Sequence, residues 1–160
     1  MSRTRIIFLT VLILLPAASL LAQVRAQKPN DVTIELGGRC ILYSLSYQRM
    51  FGEMAALEVG ASMIGGAGLD SNASVFFLTG GGRLYLMKKN ASPCISGGIV
   101  YVSAITDAGP FEGTGSGVYF YVTPGFEFRM SGGFVFRGGV NFLIKGGFFV
   151  WPGVALGIAF

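Results

Sequence analysis

"VWPGVALGIAF", residues Val150 to Phe160, is the stretch that decides how the rest of the chain is interpreted. Its alternate positions carry two different kinds of side chain. Glycine and alanine dominate one face, whereas the other consists of larger apolar groups: Val150, Pro152, Val154, Leu156, Ile158 and Phe160. Because side chains alternate across a β-strand, this period of two predicts a strand. An apolar outer face and a small inner face are typical of a strand in a transmembrane β-barrel.

The N-terminal residues predict a removable leader. Two arginines precede an apolar run, residues 6–15, and small residues follow it, which is the order of a secretory signal peptide. The run is short for a membrane-spanning helix. Val24-Arg25-Ala26 offers the small residues that a cleavage site needs, so we expect a signal peptide at 1–26 and one domain at 27–160. Ala22 is a second candidate for the cleavage residue.

The composition excludes several classes of protein. The expected leader carries three arginines and no acidic residue, so its removal lowers the formal charge from +4 to +1. No basic surface then remains for nucleic acid. Hydrophobic residues make up 52% of the chain, yet no apolar run after residue 22 could cross a bilayer as a helix. Since closed strands leave no backbone group unpaired in lipid, these features predict a β-barrel.

Turn signals divide the chain after the leader into eight strands. We expect them at 32–36, from 41 to a turn at 51–53, and at 54–64, 74–87, 94–103, 118–130, 134–144 and 150–160. The apolar parity flips across Gly37-Gly38-Arg39, which means either a tight hairpin or a bulge in one long strand. With the N-terminus in the periplasm, the loops 65–72 and 104–115 lie outside the cell. The short turns lie inside, as in bacterial outer-membrane barrels.

Three segments carry a resemblance to known proteins: "ELGGRCILYSLSYQRMF", "GGFVFRGGV" and "WPGVALGIAF". They resemble segments of small, mostly uncharacterised outer-membrane β-barrel proteins of Bacteroidota, and the mature chain is similar in size to the eight-stranded OmpA and OmpX type. The resemblance implies an all-β, eight-stranded antiparallel barrel in the lipid of a Gram-negative outer membrane. It also implies insertion by the barrel-assembly machinery, whose recognition signal the chain end resembles through Val154, Leu156, Ile158 and Phe160. A Tyr often occupies the place of Ile158 in that signal.

Several kinds of chemistry lack the residues they need. The chain has no histidine, which removes Ser-His-Asp and Cys-His nucleophiles, imidazole metal ligands and the usual general base. Gly80-Gly81-Gly82 is not followed by the Lys-Ser/Thr of a phosphate-binding loop. Carboxylates at calcium-loop spacing are missing as well. We therefore expect no catalytic residue, no cofactor and no metal.

One set of charged side chains shares the inward parity: Glu35, Glu58, Arg83, Glu127, Arg129 and Arg137. The interior of an eight-stranded barrel is just wide enough to be filled by side chains, so charges there must be paired. We expect an ion-pair network that plugs the lumen, the space inside the barrel, with Arg83 or Arg137 within reach of Glu58 or Glu127. A gate or small binding site made from the same pairs is the alternative.

Two cysteines, Cys40 and Cys94, could form a disulfide in an oxidising compartment. The strand order places Cys40 near an outer turn and Cys94 near an inner one, which is too far for a bond. We expect two free, packed thiols.

The leading functional interpretation is a non-enzymatic outer-membrane barrel with a structural or surface-interaction role, and a partner outside the cell would meet loops 65–72 and 104–115. A narrow, porin-like channel for small solutes is the first alternative. A membrane-lipid-modifying enzyme would need a nucleophile such as Ser44 or Ser46. A soluble, lipocalin-like carrier would turn its apolar faces inward.

Overall fold

The computed structural model describes residues 24–67, 72–107 and 113–160. Eight antiparallel strands form a closed barrel in sequence order, and the last strand pairs with the first. They are β1 (Asn30–Gly37), β2 (Tyr43–Phe51), β3 (Ala55–Ala67), β4 (Asn72–Tyr85), β5 (Ala91–Asp107), β6 (Gly113–Arg129), β7 (Phe134–Ile144) and β8 (Phe148–Ala159). The all-β, eight-stranded barrel predicted from the sequence is confirmed.

Two short helical segments accompany the strands in the part of the chain that the structure describes. A single turn, α1 (Val24–Gln27), precedes β1, and a 3-10 turn, Gly38–Cys40, joins β1 to β2. No helix among the described residues is long and apolar enough to cross a bilayer. We call the end of the barrel where β1 begins and β8 finishes the inner end, and the opposite end the outer end.

The alternation of side chains places apolar groups outside and polar groups inside. Leu36, Leu57 and Leu86 are 62%, 59% and 66% exposed. Their neighbours with opposite parity, such as Glu35 and Glu58, are buried in the lumen. The lipocalin-like alternative requires the reverse arrangement, so the orientation of the strands contradicts it.

The connection between β1 and β2 is a hairpin, which settles the alternative between hairpin and bulge. Gly37 and Gly38 have φ angles of +70° and +75°, which favour glycine and turn the chain into the barrel. A Cβ at Gly153 would lie 2.7 Å from the Cα of Gly38, so a glycine in β8 makes room for this turn. The turn is consequently buried, with Arg39 4% and Cys40 0% exposed.

The predicted loops 65–72 and 104–115 are too long. Strands β3 and β4 pair as far as Ala67 and Asn72, and β5 and β6 pair as far as Thr106 and Gly113. Glycine and polar residues there read as turn signals, but pairing with a neighbouring strand overrides local propensity. The rest of each predicted loop, 68–71 and 108–112, lies outside the described residues.

The strands β3 to β6 extend beyond their neighbours at the outer end. In the described chain β2 pairs with β3 only as far as Ala61, and β7 pairs with β6 only from Phe120 onward. The remaining parts form a four-stranded extension that we call the outer sheet: residues 62–67, 72–77, 102–107 and 113–117.

Candidate functional site

The inner half of the lumen holds a group of charges that we call the inner cluster: Asp31, Glu127, Arg129 and Arg137. Glu127 on β6 and Arg137 on β7 face each other directly across the ladder, and Arg137 Nε lies 2.6 Å from Glu127 Oε2. Arg129 Nε lies 2.7 Å from Glu127 Oε1. Both arginines also pair with Asp31 of β1, with Arg137 Nη2 2.7 Å from Asp31 Oδ1. Three strands are thus joined by ionic contacts.

A second group, the outer cluster, lies above it: Glu35, Arg39, Glu58, Arg83 and Tyr121. Arg83 Nη2 on β4 lies 2.8 Å from Glu58 Oε2 on β3. Arg39 enters the lumen from the inward-folded turn, pairs with Glu58, and places its Nε 3.1 Å from Glu35 Oε2. The Tyr121 hydroxyl accepts a hydrogen bond from Arg39 at 2.8 Å and donates one to Glu58 at 2.9 Å.

Neutral side chains connect the two clusters into one network. Arg83 Nε donates to Gln48 Oε1 at 3.0 Å, and Gln48 Nε2 donates to the Tyr85 hydroxyl at 2.8 Å. That hydroxyl donates to Glu127 Oε2 at 2.5 Å. Because each carboxylate and each arginine of the two clusters has a partner of opposite charge, the cost of removing these charges from water is largely offset.

All six charged residues with inward parity lie in this network, and both expected kinds of pair occur, Arg83 with Glu58 and Arg137 with Glu127. Sequence reasoning missed Asp31, Arg39 and Arg25, which are also buried. Asp31 shares the parity of Glu35, so a longer β1 would have included it. Arg39 lies in a turn, where the alternation of side chains gives no information about which residues face the lumen. Arg25 was assigned to the leader.

An apolar layer covers the network at the outer end of the lumen. It consists of Cys40, which is part of the β1–β2 turn, and of buried side chains that cluster with it: Phe77, Val100, Tyr119 and Leu143. The Tyr119 hydroxyl donates to the carbonyl oxygen of Arg39, and Trp151 Nε1 donates to that of Ile41 at 2.8 Å. The lumen is therefore apolar at its outer end. Side chains of β6 and β8 hold the turn in place there.

Between the clusters is a cavity of about 20 Å³, lined by Glu35, Arg39, Arg83 and Arg137 and by several glycines. This volume has room for about one water molecule.

The described residues contain no group of three or more His, Cys, Asp or Glu side chains that could hold a metal ion. Ser44 and Ser46 are 0% and 3% exposed and face the lumen, away from the surface that lipid could reach. Cys40 and Cys94 are both buried free thiols, as expected.

The four residues of the expected assembly signal lie at the inner end of β8 and just after it. Val154, Leu156, Ile158 and Phe160 all point outward, with exposures from 45% to 64%.

A closed eight-stranded barrel with an apolar exterior and charges inside has the architecture of small outer-membrane β-barrels. Among solved structures, the chain is similar to the N-terminal β-barrel domain of Pseudomonas aeruginosa OprF, with a TM-score of 0.59 and 10% identity over 82% of this chain and 95% of that one. It is also similar to Neisserial surface protein A, with a TM-score of 0.52 and 10% identity over 82% and 94%. At this identity the likeness shows the fold alone. The chain matches no family model and no curated protein sequence.

Proposed function

We propose that this chain is a non-enzymatic, integral protein of a Gram-negative outer membrane, with a closed lumen and a structural or surface-interaction role. The orientation of the barrel wall carries the proposal. Large apolar side chains cover the outside of every strand, among them Leu45, Val59, Leu78 and Ile99 at 49–56% exposure. A continuous apolar surface of this kind is unfavourable in water but suits lipid. Segments that resemble Bacteroidota barrels make that group the expected source.

The contents of the lumen favour a closed barrel over a channel. A solute would have to pass the apolar layer, the outer cluster and the inner cluster in turn. Opening a path means separating pairs such as Arg83 with Glu58 or Arg137 with Glu127, both almost fully buried. Leaving a buried charge without its partner costs about 3–5 kcal/mol. We therefore expect negligible conductance.

The outer sheet supports the surface-interaction role. Its outward side chains include Met63, Phe76 and Ile105, which are 62%, 40% and 50% exposed. Strand edges without a neighbour present backbone N–H and C=O groups that another chain can pair with. The outer parts of β3 and β6 lack such a neighbour among the described residues. A partner outside the cell would meet this sheet first.

Membrane fractionation combined with heat-modifiable gel mobility tests the location. We expect the protein in the outer-membrane fraction, with a change in mobility on boiling; recovery in the soluble fraction would contradict the proposal. Single-channel recording of the refolded protein tests the lumen, and steady conductance would favour the channel alternative.

Labelling of intact cells tests the topology. A Ser116→Cys variant places a thiol on the outer sheet, and Glu53→Cys places one in the β2–β3 turn at the inner end. We expect a membrane-impermeant maleimide to label Ser116→Cys alone, because the native Cys40 and Cys94 are buried. The reverse pattern would mean that the barrel is inserted the other way round.

Shortening the outer sheet separates the two roles. Replacing residues 64–75 with a two-residue Asn-Gly turn should retain the barrel, because this turn suits a β-hairpin. If the sheet is an interaction surface, cells with the shortened chain should adhere less to protein-coated surfaces. Unchanged adhesion with preserved heat-modifiable mobility would favour the structural role.

A further inference from the structure

We propose that the mature protein keeps Arg25 and that its side chain closes the inner mouth of the barrel, as a stopper would. The leader is then removed between Ala22 and Gln23. The inference rests on the proposed export to the outer membrane. It concerns a processing position that the sequence leaves open between two alanines.

Arg25 is buried and contacts the barrel in the same way as the charged residues of the strands. Its side chain is 4% exposed. Its Nε lies 3.2 Å from Glu127 Oε1, and its Nη1 donates to the carbonyl oxygen of Met87 at 3.0 Å. The guanidinium carbon lies 3.9 Å from the centre of the Tyr85 ring, a cation–π distance. Arg25 thus contacts both the inner cluster and the β4–β5 turn.

The residues that follow are fixed across the same mouth. Lys28 Nζ donates to the carbonyl oxygen of Gly132 in the β6–β7 turn at 3.0 Å, and the Lys28 carbonyl accepts from Arg129 Nη1 at 3.2 Å. The Pro29 carbonyl accepts from the backbone N–H of Met50 on β2 at 2.7 Å. The segment therefore spans from the β4–β5 turn to the β6–β7 turn and closes the inner end.

Small-residue rules alone favour cleavage after Ala26, because Val24 is smaller than Leu20 at the equivalent position before Ala22. Cleavage after Ala26 would remove Arg25, however, and expose the face of Tyr85 and the carboxylate of Glu127 at the mouth. Cleavage after Ala22 lies closer to the end of the apolar run at residue 15 than cleavage after Ala26 does. It also leaves all four residues of α1 in the mature chain.

Charge counting shows how Arg25 is accommodated. Four carboxylates (Asp31, Glu35, Glu58 and Glu127) are buried in the lumen with four arginines of the strands and the β1–β2 turn, and Arg25 adds a fifth positive charge. It sits at the edge of the network, where the Met87 carbonyl and the Tyr85 ring face take up part of that charge. Arg25 is held there without a carboxylate of its own.

The intact mass of the protein purified from the outer membrane tests the processing position. We expect a chain that starts at Gln23; a chain that starts at Gln27 would be lighter by the mass of Gln-Val-Arg-Ala and would overturn the proposal. A chain that still carries the leader would overturn it too. Membrane fractionation of the same sample then shows whether the export on which it rests has also failed.

Stability measurements on refolded chains of residues 23–160 test the stopper itself. We expect Arg25→Gln to raise the equilibrium constant of unfolding about tenfold or more, because it removes a charge-assisted hydrogen bond and a cation–π contact. Lys88→Gln, whose side chain is 69% exposed where it pairs with Glu53, is the matched control and should leave the constant within about twofold. Equal behaviour of the two variants would show that Arg25 does not close the mouth.

Discussion

Replacing Glu127 by Gln is the sharpest test of the ion network. Glu127 is 0% exposed and accepts bonds from Arg25 at 3.2 Å, Arg129 at 2.7 Å and Arg137 at 2.6 Å, as well as from the Tyr85 hydroxyl. Glutamine has almost the same shape, so the substitution removes the negative charge without leaving a cavity. It also turns an amide N–H₂ toward donors that need an acceptor.

The size of the effect follows from the charges that remain. Asp31 would be the single carboxylate left to face the three arginines of the inner mouth. Removing one partner of a buried ion pair costs about 3–5 kcal/mol, because an uncompensated buried charge is left behind. We expect the free energy of unfolding to fall by about that amount.

Urea unfolding of the protein refolded in phospholipid vesicles measures this loss. The chain has a single tryptophan, Trp151, whose fluorescence reports the fold, and heat-modifiable gel mobility gives a second signal. Glu53→Gln is the matched control, because its pair with Lys88 at 3.3 Å is exposed and contributes at most about 1 kcal/mol. If Glu127→Gln costs no more than Glu53→Gln, the lumen charges do not stabilise the barrel through pairing.

Three further substitutions or treatments test the barrel wall and its thiols. Gly98→Ala should lower the free energy of unfolding by about 1–3 kcal/mol, because the added Cβ would meet the backbone of β4. Gly115→Ala is the control and should be neutral, because an added Cβ there meets nothing within 4 Å. Equal losses of the two variants in urea unfolding would refute this prediction. Val59 is 56% exposed on the lipid-facing side. Val59→Arg should lower the free energy of unfolding by about 2–4 kcal/mol if the residue lies near the bilayer midplane, whereas Val59→Leu should be tolerated. Tolerance of both substitutions would place this face in water. Burial raises the pKa of Cys40 to about 11, so its thiol stays protonated at pH 8. Maleimide should therefore label Cys40 and Cys94 only after unfolding, and rapid labelling of the folded protein would contradict their burial.

The strand pattern could be predicted from the sequence because it depends on local alternation. On β8, the small residues from Gly153 to Ala159 and the apolar residues between them define two faces without reference to any other strand. The same parity places Glu58, Arg83 and Glu127 inside. The same parity led to the expectation that Arg83 or Arg137 would reach Glu58 or Glu127, and the tight turn between β6 and β7 brings Glu127 and Arg137 into register.

The limits of the strands did not follow in the same way. Residues 65–67 and 104–107 contain glycine, alanine and polar groups that suit turns, yet they continue β3 and β5 because β4 and β6 supply hydrogen-bond partners. Those partners come from other parts of the chain, so local composition does not reveal them.

The sequence by itself determined that strands with an apolar outside must close around a polar inside, since a period of two and the demands of lipid act on each strand separately. Only the tertiary structure decided that Arg39 enters the lumen from a turn, that Arg25 lies against Glu127 and Tyr85, and that Asp31 joins Arg129 and Arg137, which are 98 and 106 residues away. Turns and chain ends have no side-chain period. Where their side chains lie depends on which strands the closed barrel brings around them.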